Sequence, residues 1–415
     1  CSLVILYLCR TLKAMNNRQL FLQHVAQTST APLGIEMVEA AGVTLTDVTG
    51  KTYTDFIAGF SVCNIGHSHP EVVKAVQEQA AKYMHLIVYG EFIESPQVQY
   101  AALLASHLPQ NLDCVYFTSS GAEATEGALK LAKRVTGKTK ILACNKAYHG
   151  STQGALSVMG DEYWRNAFRP LLPEVYHFNY NDDALVDAID NTVACVIVEP
   201  VQAESGVTPG RKEWLTQVRK KCDAHCVLLI FDEIQSGFGR TGSLFAFEQM
   251  GVVPDVLLVG KALGGGMPLG AFISSHKLMS TLTVAPVLGH ITTFGGHPVS
   301  CAAGKKALEI LLQEKYIDTV AAKSELLQSL LVHPAIVQMQ GIGLWFSLQF
   351  SSDTLAQKVA HTCVQNGVIT DWFLFAPDCI RVAPPLIITE TEIRAACGII
   401  LQSIDQVLLE HPELA

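Results

Sequence analysis

The sequence is short of charge, and the charge it has leans one way. Only 16% of its 415 residues are Asp, Glu, Lys or Arg, and 38 acids against 29 lysines and arginines leave a net charge of −9. It therefore lacks the basic surface that nucleic acid or an anionic lipid face requires. Hydrophobic residues make up 49%, more than so few charges can cover on a lone subunit, so a buried subunit interface is expected. No low-complexity tract, internal repeat or long linker interrupts the chain. The apolar run at 2–8 is well short of the ~20 residues that span a bilayer. It also has no basic segment before it and no small-residue cleavage site after it. Met15-Asn16-Asn17-Arg18 reads like a start, so residues 1–14 are expected to be a non-native leader. A disulfide framework is missing too. The twelve cysteines are scattered, several inside apolar runs (Cys63, Cys114, Cys195, Cys301), which suits buried thiols in a reducing, cytoplasmic compartment. Cys222, His225 and Cys226 are the one close Cys/His cluster; no second pair at ligand spacing accompanies them, and no metal site is expected.

What is present is a regular alternation. A hairpin turning at Thr49-Gly50 and a helix over 70–83 come first. Apolar strands are then predicted at 114–118, 140–144, 194–198, 227–231, 256–259 and 271–274, with helices at 122–136, 211–225 and 245–250. Continuous apolar strands separated by helices imply a largely parallel sheet covered on both faces, an α/β architecture. Beyond about residue 300 a long helix at 301–314, a second helix and a few strands suggest a smaller α+β domain.

Chemistry-bearing residues fall at the C-terminal ends of those strands, where open α/β sheets bind ligands. Asp232 ends the run Val227-Leu228-Leu229-Ile230-Phe231, and Lys261 precedes Ala262-Leu263-Gly264-Gly265-Gly266. Alone, each has an ordinary reading, a loop cap and a solvated charge. Together they supply what pyridoxal phosphate needs: an amine to form a Schiff base with its aldehyde and a carboxylate to keep its ring nitrogen protonated. Ser119-Ser120-Gly121-Ala122 leads from a strand into a helix whose free amides make an anion site, although a plain N-cap by either serine fits equally. Tyr148, in Tyr148-His149-Gly150, is placed to stack on a planar ring. Gly237-Phe238-Gly239-Arg240-Thr241-Gly242 fits a dinucleotide fingerprint, but Asp232 and Glu233 directly before it would repel a pyrophosphate, and no acid stands about 20 residues on to hold a ribose.

From Asp55 to Pro385 the chain resembles the class III (subgroup II) pyridoxal-phosphate aminotransferases, the group of the 4-aminobutyrate, ornithine and acetylornithine enzymes. The resemblance rests on Gly66-His67-Ser68-His69-Pro70, Ser120-Gly121-Ala122-Glu123-Ala124, Tyr148-His149-Gly150, Glu199-Pro200-Val201-Gln202-Ala203-Glu204, Asp232-Glu233-Ile234-Gln235-Ser236-Gly237, Lys261, Thr293-Phe294-Gly295-Gly296 and Arg381-Val382-Ala383-Pro384-Pro385. It implies fold type I: a large domain with a mostly parallel seven-stranded sheet sandwiched by helices, and a smaller α+β domain from both chain ends. The expected divisions are 15–54 and 300–415 for the small domain and 55–299 for the large. It implies a ping-pong transfer of an amino group from an amino-acid or ω-amine donor to 2-oxoglutarate or pyruvate through a Lys261 Schiff base. An aminomutase, an epimerase or a decarboxylating enzyme on the same fold would keep the same cofactor residues.

The resemblance also implies roles. Gly121 and Ala122 give amides to the phosphate, with Ser120, His149 and Glu199 also at cofactor-binding positions. Tyr148 and Ile234 cover the two ring faces, Gln235 lies near the phenolic oxygen and Asp232 pairs with the ring nitrogen. Thr293 reaches the phosphate of a partner subunit, so a homodimer with shared sites is expected. Phe60, Glu204, Thr292 and Arg381 fall on substrate-contacting positions: Arg381 clamps a carboxylate, and Glu204 neutralises it when the substrate has none there. The sequence departs from its relatives at Ser151, where they carry an arginine for a substrate carboxylate, and at Phe60, where ornithine enzymes carry a tyrosine. Ornithine specificity is therefore not expected. The expected donor needs one carboxylate clamp and has an apolar or amine-bearing remainder against Phe60, with Arg165 or Arg169 as candidate replacements for the missing cation.

Overall fold

The computed structural model describes residues 16–414; the expected leader at 1–14 lies outside the described residues. Seven strands form the central sheet: β1 (Cys114–Thr118), β2 (Lys140–Cys144), β3 (Val175–Phe178), β4 (Val193–Val198), β5 (Leu228–Asp232), β6 (Val256–Val259) and β7 (Gly270–Ser274). Their order is β1-β7-β6-β5-β4-β2-β3. Strand β7 runs antiparallel to both neighbours, and the other pairs are parallel. The predicted strands appear within a residue or so of their expected bounds; β3, an edge strand of only four residues, is an addition to them.

Side-chain alternation explains why these strands read as unbroken apolar runs. Ile141, Ala143, Cys195, Ile197, Ile230, Leu258 and Phe272 pack into one core, against the helix Gly121–Thr136. Their sequence neighbours Leu142, Cys144, Val196, Val198, Leu229, Phe231, Leu257 and Ile273 pack into the other, against Trp214, Leu215 and Val218 of the helix Lys212–His225. A sheet buried on both faces has no solvent side to mark with polar residues. Removing a large residue from either core would cost about 2–5 kcal/mol.

The smaller α+β domain draws on both ends of the chain. Thr52–Asp55 closes a hairpin with Thr44–Asp47 and pairs in parallel with Val368–Ile369. A second sheet, built from Gln338–Gly341, Phe346–Gln349, Trp372–Phe373 and Ala376–Val382, carries Arg381. The glycine-rich run 237–242 ties these parts together. Arg240 is fully buried and donates to the Leu344 and Pro384 carbonyls at 2.9 and 2.7 Å and to Asn64 Oδ1 at 2.5 Å. Glu233 accepts the amides of Ala246 and Phe247, which begin a short helix. That motif is a structural joint. Among the described residues no helix is long and apolar enough to cross a membrane.

Candidate active site

The strand ends deliver their side chains to one cavity of about 350 Å³. Its walls carry Gly121, Ala122, Tyr148, His149, Glu199, Asp232, Ile234, Gln235 and Lys261, joined by Gly150, Ser151 and Ala203. At the anion end, Ser120 caps the helix Gly121–Thr136 by accepting the Glu123 amide at 3.2 Å. Ser120 thus holds the helix start and does not line the cavity. The Gly121 and Ala122 amides, first in the helix, take no partner among the described residues, the usual condition of a helix N-terminus. Glycine is needed here: a Cβ on Gly121 would come within 2.8 Å of Ile234 Cδ1, and one on Gly150 within 2.6 Å of Ala122 Cβ.

At the floor, Asp232 Oδ2 lies 2.7 Å from His149 Nδ1, and Asp232 Oδ1 accepts the Ile234 amide at 3.0 Å. Burial pulls the His149 imidazole down, but the Asp232 hydrogen bond and charge outweigh it, and the net shift is upward. His149 thus stands behind Asp232 as its buried hydrogen-bond partner. Glu199 accepts the amides of Tyr148 at 3.1 Å and Ala203 at 2.9 Å, fixing two loops at once. Burial lifts its carboxyl to about 7.

Lys261 follows β6 with a left-handed backbone, φ +48°, and its Nζ donates to Gln235 Oε1 at 2.8 Å. Burial drags its ammonium down to about 8, so about a tenth is already the neutral, nucleophilic amine at pH 7 and more as pH rises. Gln235 Nε2 and His149 Nε2 are buried without a partner among the described residues. Orphaned donors in a cavity wall mark places where a bound group completes the hydrogen bonding.

A buried arginine and its acids stand near this cavity, close enough for Arg381 and Glu204 to act on the Lys261 charge. Arg381 is 1% exposed, and its Nη2 bonds both Glu204 oxygens at 3.0 and 3.1 Å. Its Nε donates to Asp371 Oδ1 at 3.1 Å, and Nη1 is left without a partner among the described residues. Burial raises the Glu204 carboxyl, but the charges of Arg381 and Lys261 outweigh it and leave it below its ordinary value. The guanidinium lies 4.3 Å from the Phe373 ring and 5.1 Å from that of Phe60. Phe60 is presented by a left-handed turn in which Ala58, Gly59, Phe60 and Ser61 all have positive φ. Left-handed residues with a Cβ cost roughly 1–2 kcal/mol each. Asp55 compensates by accepting the Ile57 and Gly59 amides at 2.8 and 3.1 Å while bonding His67 at 2.7 Å.

Three expectations need correction or extension. Arg165 and Arg169 do not replace the cation missing at Ser151: both bond Glu162, and Arg165 also donates to the Ser157 and Met159 carbonyls. Ser151 instead faces the Tyr148 hydroxyl at 3.3 Å. Thr292 lies outside the Lys261 cavity, in a separate one of about 240 Å³ with Val88, Tyr89 and Gln97, and Thr293 is exposed. Asp371 and Phe373, both against Arg381, were not foreseen, because no motif marks them; only the pairing of Trp372–Phe373 with Ala376–Val382 brings them there.

Comparison with known proteins bears on this arrangement. The family model described as "Aminotransferase class-III" matches residues 25–404. The chain is 38% identical over 372 residues to the acetylornithine aminotransferase of Bacillus cereus, covering 88% of this chain and 94% of that one. It is 39% identical over 367 residues to that of Methanopyrus kandleri, covering 87% and 92%. The ornithine aminotransferase of Toxoplasma gondii superposes with a TM-score of 0.89 at 30% identity, over 98% of both chains. An (S)-enantioselective omega-transaminase from Thermomicrobium roseum gives 0.85 at 30% identity, over 94% of this chain and 97% of that one.

Proposed function

The chain belongs to the class-III aminotransferases, and from that premise we propose that it carries an amino group from an amino-acid or ω-amine donor to 2-oxoglutarate or pyruvate, with Lys261 as the catalytic lysine. It is a pyridoxal-phosphate-dependent enzyme acting on an amino donor and an oxo-acid acceptor. The residues present suit that cofactor: free amides at Gly121 and Ala122 for a phosphate, an acid at Asp232 for a ring nitrogen, and an unpaired Gln235 Nε2 for a ring oxygen. Bound, it supplies an aldehyde for the substrate amine and a protonated ring that withdraws electrons from the substrate carbon.

The chain's own residues do the rest. The helix-end amides would hold the anionic end, and Tyr148 and Ile234 would cover the ring. Asp232, hydrogen-bonded to His149, would pair with the ring nitrogen. Lys261 Nζ, neutral once deprotonated near pH 8, takes the proton from the substrate carbon and delivers it; work of this kind contributes about 10²–10⁴-fold. The observation that carries the two-substrate reading is the state of Arg381. Glu204 occupies Nη2, and Nη1 has no partner among the described residues. A substrate carboxylate thus has one free donor to begin on and a second once Glu204 gives way, a competition for a planar fork. A donor lacking that carboxylate leaves Glu204 in place.

Several further points belong to this reading. The protein acts as a homodimer with shared sites, Thr293 of each subunit serving the phosphate of the other. Support comes from exposed apolar side chains close to it in the chain, Val287 at 73% and Phe294 at 53%. The domain divisions fall at 54/55 and 299/300, and the protein works in the cytoplasm, where thiols such as Cys144, Cys195 and Cys301 remain free. With Ser151 in the wall and Arg165 and Arg169 bonded elsewhere, ornithine is disfavoured as donor. The test is acceptor dependence. Turnover of an amine donor by purified holoenzyme should stop without an oxo acid and resume on its addition; sustained product formation without any acceptor would favour an aminomutase, epimerase or decarboxylating enzyme.

A further inference from the structure

A second, polar cavity of about 390 Å³ opens between the loops that follow β2 and β4 and the second sheet of the smaller domain. None of its wall residues lines the Lys261 cavity. Two of its walls are nevertheless the segments that fix Glu204. Ser205 and Gly206 follow Glu204 directly in the chain. Phe375 and Ala376 follow Leu374, whose amide donates to Glu204 Oε2 at 3.1 Å. The Phe375 amide donates to the Glu204 carbonyl at 3.0 Å. From the sheet, Ser347 Oγ donates to the Gly206 carbonyl at 2.7 Å, and Ser347 is the residue that pairs with Arg381.

The wall holds one charge of each sign. Lys146 and Asp378 are the only charged residues lining it, and among the described residues they form no ion pair with each other. Both reach the Cys379 thiol in the same wall: burial and the Asp378 carboxylate push it up to about 12, while Lys146 pulls it down. Asp378 Oδ2 accepts Gln349 Nε2 at 2.8 Å and keeps a lone pair free, since a carboxylate oxygen accepts two hydrogen bonds. The Gln349 side-chain oxygen takes no partner among the described residues. Gln340 Nε2, by contrast, is already spent on the Val207 carbonyl and Thr208 Oγ1. A cation and an anion held apart in a polar cavity match a small molecule that is neutral overall and carries both charges.

We propose that this cavity is a regulatory site for a free α-amino acid, whose carboxylate meets Lys146 and whose ammonium meets Asp378. Bridging the segment 205–208 to the segment 375–379, the bound amino acid tightens their grip on Glu204. Glu204 then yields Arg381 less readily to an oxo acid. The effect on turnover rests on the aminotransferase reading above; the binding does not.

Holoenzyme treated with aminooxyacetate, which consumes the cofactor aldehyde and blocks the Lys261 cavity, leaves this site to be titrated alone by calorimetry. L-Glutamine is the probe, with butylamine and acetate as controls that carry one charge each. Glutamine should bind saturably, about fivefold or more tighter than either control. Asp378→Asn keeps an acceptor for Gln349, and Lys146→Gln keeps most of the stem; each should weaken glutamine about fivefold, the scale of an exposed ion pair. No saturable binding, a control that binds as well as glutamine, or binding unchanged in either variant overturns the proposal. If a variant does not accumulate, the comparison of glutamine with the two controls on wild type decides. In untreated holoenzyme glutamine should raise KM for the oxo acid about fivefold, and both variants should abolish the rise. A rise that persists in the variants is competition at the Lys261 cavity, and it overturns the regulatory role, as does binding with no change in KM. Absence of transfer from any amine to any oxo acid sinks the aminotransferase reading and the regulation with it, while calorimetry still decides the site.

Discussion

Around the Lys261 cavity, Asp232 ends a strand, Glu199 follows one directly, and both are pinned by backbone amides. Asp232 takes the Ile234 amide and His149, and Glu199 takes the amides of Tyr148 and Ala203. Around the guanidinium only Arg381 and Phe373 sit on strands. Glu204 and Phe60 converge on Arg381 from distant segments and Asp371 from the same hairpin, holding it by charge and ring contact. Groups whose chemistry is fixed are built on rigid backbone, while groups that must tell one substrate from another rest on side chains able to exchange partners. Strength and adjustability are thereby kept in separate places.

That contrast can be broken by substitution, and the cofactor end should suffer most. Lys261→Ala should cut turnover by about a thousandfold or more while cofactor is still retained non-covalently; steady turnover within a factor of ten of wild type would remove Lys261 from its role. Asp232→Asn keeps the shape and loses the charge, and should cost about 3–4 kcal/mol in kcat, the scale of a preorganised electrostatic group. An unchanged kcat with cofactor bound would contradict it. Arg381→Lys should cost about 1.5–3 kcal/mol in kcat/KM for the oxo acid and leave the cofactor absorbance alone. A matching loss of cofactor would mean that the two ends are not separate. Thr293→Ala should be mildest, about 1 kcal/mol in cofactor retention on dialysis. Sedimentation that finds a fully active monomer would refute the shared site.

The same division governs what could be read from the sequence. Lys261, Asp232, Gly121 and Tyr148 were legible because a buried strand is an apolar run, and whatever polar residue ends it is local in the chain. The seven-stranded sheet was legible for the same reason, apart from β3, whose four residues Val175-Tyr176-His177-Phe178 mix polar with apolar at a sheet edge. Asp371 was not legible. It reaches Arg381 because Trp372 pairs with Ile380 across an irregular hairpin, and no periodicity announces that. The Arg165 and Arg169 alternatives failed because Glu162, in the same short segment, already holds both cations.

The position of β7 sets a timetable for the chain as it leaves the ribosome. Strand β7 is inserted between β1 and β6, with Gly270 opposite Thr118, so the sheet cannot close until about residue 274 has emerged. The pairing of Thr54 with Val368 completes the N-terminal sheet later still. Contacts of such long sequence separation must wait for loop closure, which slows folding and leaves strand edges exposed meanwhile. Lys261 and Asp232 are synthesised before the strand that locks their sheet, so the cofactor meets a finished cradle only near the end of assembly. Its capture thus reports that β7 has docked, and a nascent chain stalled before β7 should remain unable to bind it.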